Sequence, residues 1–367
     1  MTTRAPVTDA IGFAERVVAL LDEGAFTATY KYAVLLGLLD VVMERTSATG
    51  EPPGVVTTRQ LAEKVTELYW PQADAFGVGV APRALRQITT GKRDILGMIR
   101  EFRESAPGDP GAPPARVRAA RGAGYEALLD RVEWTLIQMP LPRLQRFGRT
   151  VDEFIYRIAW DEGHRRGPVA RYQAGQASDF DNRILLLPKV GFYLQQLNGL
   201  LRPMVMRSWT AMVARLNELE ESALQDFLFG RERIALVPLR PALLELQEGR
   251  CFYCGERVSA AGEVDHFIPW SRYRDDGLDN LVLADRGCNG AKRDFLASAR
   301  HVRRWRERME SPAVPEVAAA ERWPRHPETT LGVARAVYLR LPAGSPLWDG
   351  QATFVVAERG ALAEAVA

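Results

Sequence analysis

The sequence predicts a mainly α-helical protein of the α+β kind, with a small strand-containing core set among helices. Three observations carry that expectation. Apolar residues recur at helical spacing through most of the chain. Strand-like runs are few and short, and the best of them cluster between Cys251 and Phe295. Residues 105–115 form the one Pro- and Gly-rich stretch with nothing to bury. At 367 residues the chain is longer than one typical domain, so two or three packed units are expected.

Composition narrows the class further. An apolar fraction of 47% and a charged fraction of 26% are those of a globular protein, and the net charge is only +2. Any attraction for a polyanion must therefore come from local clustering rather than from the whole molecule. The three cysteines argue for a reducing compartment and against a disulfide scaffold. The start of the chain lacks the order of a secretory signal. No apolar run reaches the ~18 residues that a membrane span needs, since Asp40 and Lys189 interrupt the best candidates. A cytoplasmic protein without a membrane partner is expected.

In chain order, residues 9–23 read as a helix with Gly24 as its C-cap. Residues 28–46 read as a helix apolar almost all round (Tyr32, Val34, Leu35, Leu36, Leu38, Leu39, Val41, Val42), hence central. A turn through Gly50 and Gly54 precedes Thr57-Thr58, which opens a helix from Arg59 to Trp70 ended by Pro71. Further helices are expected at Pro82–Thr89 and Arg93–Glu104. This N-terminal region, 1–104, is compatible with a helix-turn-helix or winged-helix reader of DNA and equally with an ordinary helical domain. After the 105–115 linker, a middle domain (116–248) is rich in arginine: Arg116, Arg118, Arg121, Arg131, Arg143, Arg146 and Arg149. These read first as a solvated face, with a track for a nucleic-acid backbone as the alternative. Helices are expected at Gly124–Met139 and Val151–Asp161. Asn182–Phe192 is ambiguous, with Pro188 and Gly191 favouring a strand or turn. Residues 193–228 form a long helical stretch kinked at Pro203, whose Met204, Met206, Trp209 and Met212 read as core.

The chemistry gathers at 251–295. There the chain runs Cys251-Phe-Tyr-Cys254, Val264-Asp265-His266-Phe-Ile-Pro269, Asp279-Asn280-Leu-Val-Leu283, then Cys288-Asn289-Gly-Ala-Lys292-Arg293. Histidine titrates near neutrality, which suits an imidazole at 266 to take a proton from water. Asp265 and Asn289 offer hard oxygen donors that suit Mg²⁺ or Mn²⁺ better than Zn²⁺. Val264–Ile268 reads as a strand, so Asp265 and His266 point to opposite faces. A helix is expected to begin near Asn289 and run through Arg308, with its N–H groups favouring an anion. Between Arg286 and Arg308 stand eight Lys or Arg against Asp294 and Glu307, the strongest local positive cluster. Pro312–Pro315 breaks that helix, and helices at 316–323 and 329–341 and a strand at 352–357 complete a tail (311–367) that packs back.

This ordered set resembles the core of HNH endonucleases, the ββα-metal fold, over about 45 residues. The resemblance implies a nuclease core at 249–310 that hydrolyses phosphodiester bonds, most readily of double-stranded DNA, with one Mg²⁺-class ion (Mn²⁺ or Ni²⁺ as substitutes). It implies His266 as base, Asp265 and Asn289 as ligands of the ion, Asn280 orienting the His266 ring, and Lys292 meeting a phosphate. Arg293, Arg300, Arg303 and Arg304 are the expected further nucleic-acid contacts. Many relatives carry a second Cys-x-x-Cys that closes a structural zinc site. Here Cys251, Cys254 and Cys288 are joined by Asp285 in the fourth place, with His301 a more distant substitute. One such site cuts one strand, so double-strand cleavage implies a homodimer or a second event. Restriction, phage defence or a mobile element is the implied setting, with a defence-system partner in the second case. The rivals are a zinc-knuckle nucleic-acid-binding protein without turnover and an effector nuclease governed by a ligand of the N-terminal helices.

Overall fold

A computed structural model of the chain describes residues 9–23, 28–77, 81–88, 94–105, 114–147, 150–229, 236–258 and 262–367. Gly24, Thr89, Arg93, Arg149, residues 231–235 and 106–113 of the expected linker lie outside those residues. The chain forms two compact units, one of Met1–Val42 and Pro53–Arg231, the other of Met43–Pro52 and Glu232–Ala367. The mainly helical α+β character expected from the sequence is what the structure shows.

The first unit contains α1 (Ala10–Glu23), α2 (Tyr30–Glu44, its last two residues counted with the other unit), β1 (Val55–Thr57) and α3 (Thr58–Tyr69). It continues through α4 (Ile95–Glu104), α5 (Pro114–Ala120), α6 (Gly122–Gln138), β2 (Arg146–Phe147), β3 (Thr150–Val151) and β4 (Tyr156–Ile158). α7 (Arg166–Gln173), β5 (Arg183–Leu186), α8 (Val190–Asn217) and α9 (Glu221–Phe229) close it. α2 is buried on all sides, as its apolar circumference required. α3 opens with a capping box in which Thr57 Oγ1 accepts from the Gln60 N–H and the Gln60 side chain accepts from the Thr57 N–H. β1, β5 and β4 lie in that order in one antiparallel sheet.

Two expected helices of this unit are absent. Residues 82–88 form no helix: Arg83 exchanges both backbone hydrogen bonds with Phe76, and the Asn217 amide bonds the N–H and carbonyl of Arg86. Residues 151–161 enter β4 instead, since Gln145 Oε1 accepts from the N–H groups of Phe154, Ile155 and Tyr156. The ambiguous stretch resolves into strand β5 followed by the start of α8, which contains Pro203. Several arginines of the middle region are engaged with acids of the same unit: Arg118 with Glu63 and Glu126, Arg131 with Glu101, Arg143 with Glu162. Arg121 lies over the Phe102 ring.

The second unit contains α10 (Arg240–Leu246), β6 (Glu263–His266), β7 (Leu281–Ala284), α11 (Arg286–Lys292) and α12 (Ala299–Glu310). α13 (Ala313–Ala320), α14 (Pro327–Tyr338), β8 (Pro346–Gly350), β9 (Thr353–Val356) and α15 (Arg359–Val366) follow. β6 and β7 pair antiparallel, with Asp265 opposite Val282 and His266 opposite Leu281. Side chains of β7 alternate between two cores. Leu281 and Leu283 join Leu239, Leu243 and Val314, whereas Val282 and Ala284 join Phe252, Phe267, Trp305 and Trp348. Phe267 stacks on Trp305 at 4.8 Å and 10°, a pairing worth about 1 kcal/mol beyond the area it buries.

The helix expected from Asn289 through Arg308 is in fact two. α11 starts earlier, where the Asp285 carboxylate caps it by accepting from the Cys288 N–H at 2.8 Å, so Asn289 sits mid-helix and not at an anion-binding terminus. It ends at Arg293, whose φ of 48° takes a side chain into a region that favours glycine. Residues 296–298 then run beside β8, with Trp348 N–H on the Leu296 carbonyl and Ser298 N–H on the Trp348 carbonyl, both at 2.8 Å. That pairing competes with helix and wins. Pro315 lies inside α13 rather than before it, and α5, α7 and α15 had no clear sequence signal.

Candidate active site and cysteine cluster

Two clusters of side chains are built on β6, β7 and α11. The first gathers Cys251, Cys254, Asp285 and Cys288, whose ligand atoms all lie within 4.8 Å of one another. The turn after Cys251 brings Cys254 back (Gly255 N–H to the Cys251 carbonyl, 3.0 Å). The end of β7 and the first turn of α11 supply Asp285 and Cys288. Cys254 Sγ donates to Asp285 Oδ2 at 3.2 Å, and the Asp285 N–H donates to Cys251 Sγ at 3.3 Å. Burial pushes the Cys251 thiol up to about 11 and raises Cys288 as well. Burial would also raise the Asp285 carboxyl, but hydrogen bonds from Cys251, Cys288 and Cys254 outweigh it and hold the group well below the usual range. Tetrahedral ligands at ordinary zinc–sulfur distances stand about 3.8 Å apart, so this donor set fits one such ion with slight contraction. His301 is not a member. It is 2% exposed, with Nδ1 against Ser298 Oγ and Nε2 against the Tyr253 carbonyl, both at 3.3 Å.

The second cluster lies around β6. Residues of one parity, Glu263 and Asp265, face α11, and there the Asn289 amide donates to Glu263 Oε2 at 2.7 Å. Lys292, one helical turn on, reaches Asp265 Oδ2 at 3.0 Å and donates to the His266 carbonyl at 2.8 Å. The Tyr253 hydroxyl donates to the same Asp265 oxygen at 2.6 Å. Burial and the neighbouring Asp265 charge raise the Tyr253 phenol, so it stays a donor. Lys292 is 0% exposed. The phosphate contact expected of it is therefore not what it makes here; it is a buried cation tied to Asp265 and the backbone.

His266 has the other parity and a different partner. Its Nε2 meets Asp276 Oδ1 at 2.7 Å, and its ring lies 5.1 Å from Trp270. Asn280, expected to steer that ring, does not touch it. Its amide is spent on the loop between the strands, accepting from the Ile268 N–H at 2.8 Å and donating to the carbonyls of Ile268 and Asp275. The loop is fixed at further points: Trp323 Nε1 donates to the Asp276 carbonyl, Thr330 Oγ1 to Asp275, and Arg325 pairs with the buried Asp279. Asn280 thus acts on His266 only through the loop that presents Asp276.

The arginines divide. Arg300 is paired with Asp349 at 2.6 Å, and Arg304 donates to the Phe252 carbonyl at 2.6 Å. Arg306 and Arg308 are likewise engaged, with Glu310 and the Leu278 carbonyl. Arg293 is exposed and bonds within its own turn, to the Gly290 carbonyl at 3.2 Å, and Arg303 is exposed. Sequence reasoning missed Asp276, Tyr253 and Glu263. Glu263 was within reach of it, because strand alternation puts position 263 on the face of 265; Asp276 and Tyr253 carry no comparable local mark.

Residues 251–298 match the family model described as HNH endonuclease. No curated protein and no solved structure matches the chain. Both the four-residue group and the His266 cluster lie within the matched residues.

Proposed function

We propose that the protein is a metal-dependent endonuclease that hydrolyses phosphodiester bonds, with double-stranded DNA as its substrate. The observation that carries this reading is the bond between His266 and Asp276 within the segment that matches the HNH model. A carboxylate only accepts, so the Nε2 atom facing it carries the proton and Nδ1 keeps the lone pair. His266 then takes the proton of the attacking water at Nδ1, and Asp276 stabilises the imidazolium that results. Both protein contacts of the Asp265 carboxylate fall on Oδ2, and the Asn289 contact falls on its amide nitrogen, so Oδ1 of each is the donor for an ion. That pair of hard oxygens fits a Mg²⁺-class ion, which when bound supplies positive charge opposite the phosphate and the departing oxygen. Arg293 and Arg303 hold the flanking backbone without reading sequence. The cysteine cluster holds a structural zinc, with Asp285 completing three thiolates. On the resemblance alone, we assign the activity to restriction or phage defence.

The test is a cleavage assay on plasmid, modified phage DNA and RNA across Mg²⁺, Mn²⁺ and Ni²⁺. Wild type should cut plasmid, and His266→Ala should lower the rate at least about a thousandfold while leaving DNA affinity within a factor of about two. A wild type that cuts neither DNA nor RNA with any of these ions overturns the reading and leaves a nucleic-acid-binding module.

A further inference from the structure

Tyr253 belongs to the Cys251–Cys254 turn by sequence and to the His266 cluster by its hydroxyl. It is 2% exposed, so its hydroxyl takes its partner from within the protein. Its ring is boxed by the edges of three others: Phe252 at 5.1 Å, Trp348 at 5.1 Å and His301 at 5.5 Å, all near 87°. The His301 nitrogen also faces the Tyr253 carbonyl. A side chain so confined has one rotamer, and its oxygen has one place to point. It points at Asp265 Oδ2, where Lys292 arrives from α11, and the Lys292 ammonium lies 5.7 Å from the centre of the same ring.

We infer that Tyr253 and Lys292 are positioning residues that clamp one oxygen of Asp265 and aim the other at the catalytic cation, and that Tyr253 thereby couples the cysteine cluster to cation affinity. The inference rests on the proposed role of Asp265 as an ion ligand. Its physical basis is the cost of freedom. A carboxylate free to rotate about its last torsion must be ordered each time an ion binds, whereas one fixed by two donors is ordered in advance. The donors also divide the work. Tyr253 contributes direction without charge, and Lys292 contributes charge that balances Asp265 while the site is empty of cation. Because Tyr253 lies between two members of the cysteine cluster, whatever orders that turn orders the hydroxyl.

Mn²⁺ binding to the full chain, followed by electron paramagnetic resonance, reads the clamp without any need for turnover. Tyr253→Phe keeps the ring and removes the hydroxyl, and should weaken Mn²⁺ about tenfold, with zinc content and melting temperature unchanged. In the cleavage assay the loss should appear as a higher Mn²⁺ requirement that excess Mn²⁺ repairs, not as a lower saturated rate. Lys292→Met is the second variant, and should shift Mn²⁺ affinity by a comparable factor through the same oxygen. Asp265→Asn separates the two readings. If it leaves Mn²⁺ affinity unchanged, the ligand assignment itself fails. If it abolishes binding while Tyr253→Phe and Lys292→Met, both folded, bind Mn²⁺ as wild type does, the clamp alone is overturned.

Discussion

The two clusters of the 251–298 segment share α11 and the Cys251–Cys254 turn and put them to opposite ends. In the cysteine cluster, four donors face inward on one another, and the backbone N–H groups of Asp285 and Cys288 bond two of them from within the same segment. Around His266 and Asp265, each side chain meets its protein partners through one atom and leaves another over: Nδ1 of His266, Oδ1 of Asp265, Oδ1 of Asn289. A closed set stores folding energy; a set with atoms left over is suited to chemistry on something that arrives. The contrast predicts a double dissociation between stability and turnover.

The largest effect should come from breaking the closed set. Cys288→Ser, or removal of metal by a chelator, is expected to cost about 3 kcal/mol or more of unfolding free energy, roughly a 10 °C drop in melting temperature by calorimetry. His266→Ala should leave that melting temperature within about 2 °C. Equal melting of Cys288→Ser and wild type would erase the distinction. Next in size is pH. Burial holds the folded His301 imidazole down at about 4, against about 6.5 when unfolded. Between those values the unfolded chain binds the extra proton, so this contribution is complete above pH 6.5 and is lost as pH falls towards 4. Urea unfolding at pH 7 and pH 4.5 should differ by up to about 3 kcal/mol from this group, and a His301→Gln variant should flatten the difference. The smallest effect concerns Arg293. Replacing it with Gly relieves the backbone at φ 48° while removing an exposed cation. Stability should change by less than about 1 kcal/mol, whereas DNA affinity falls uniformly across sequences and its salt slope drops by about one.

Much of this was legible in the sequence, and the reason differs by element. The helices α1, α2 and α3 follow from periodicity and a capping residue, which are local properties. The cysteine cluster was legible because Cys251, Cys254, Asp285 and Cys288 each have few plausible tasks. The partners of His266 were not, since Asp276 reaches it only through a loop whose shape depends on Asn280, Thr330, Trp323 and Arg325, spread over fifty residues of chain. The resemblance assigned Lys292 to a phosphate, a role that needs an exposed lysine. Only the register of α11 against β6 shows that it is buried beside Asp265. The missing helices at 82–88 and 151–161 failed for one reason: the side chains of Asn217 and Gln145 satisfy backbone groups that a helix would have satisfied itself.

The short segment Met43–Pro52 is counted with the unit that begins nearly two hundred residues later. A Cβ at Gly332 would come within 1.9 Å of the Glu44 carbonyl oxygen, the Tyr273 hydroxyl bonds the Glu44 carboxylate, and Arg340 donates to the Gly50 carbonyl at 2.8 Å. An excised fragment starting at residue 232 would therefore be born with a groove along α14 where a ten-residue splint belongs. Supplied as a separate peptide, that splint should restore the fragment's fold, which makes splint and fragment a two-piece reconstitution system.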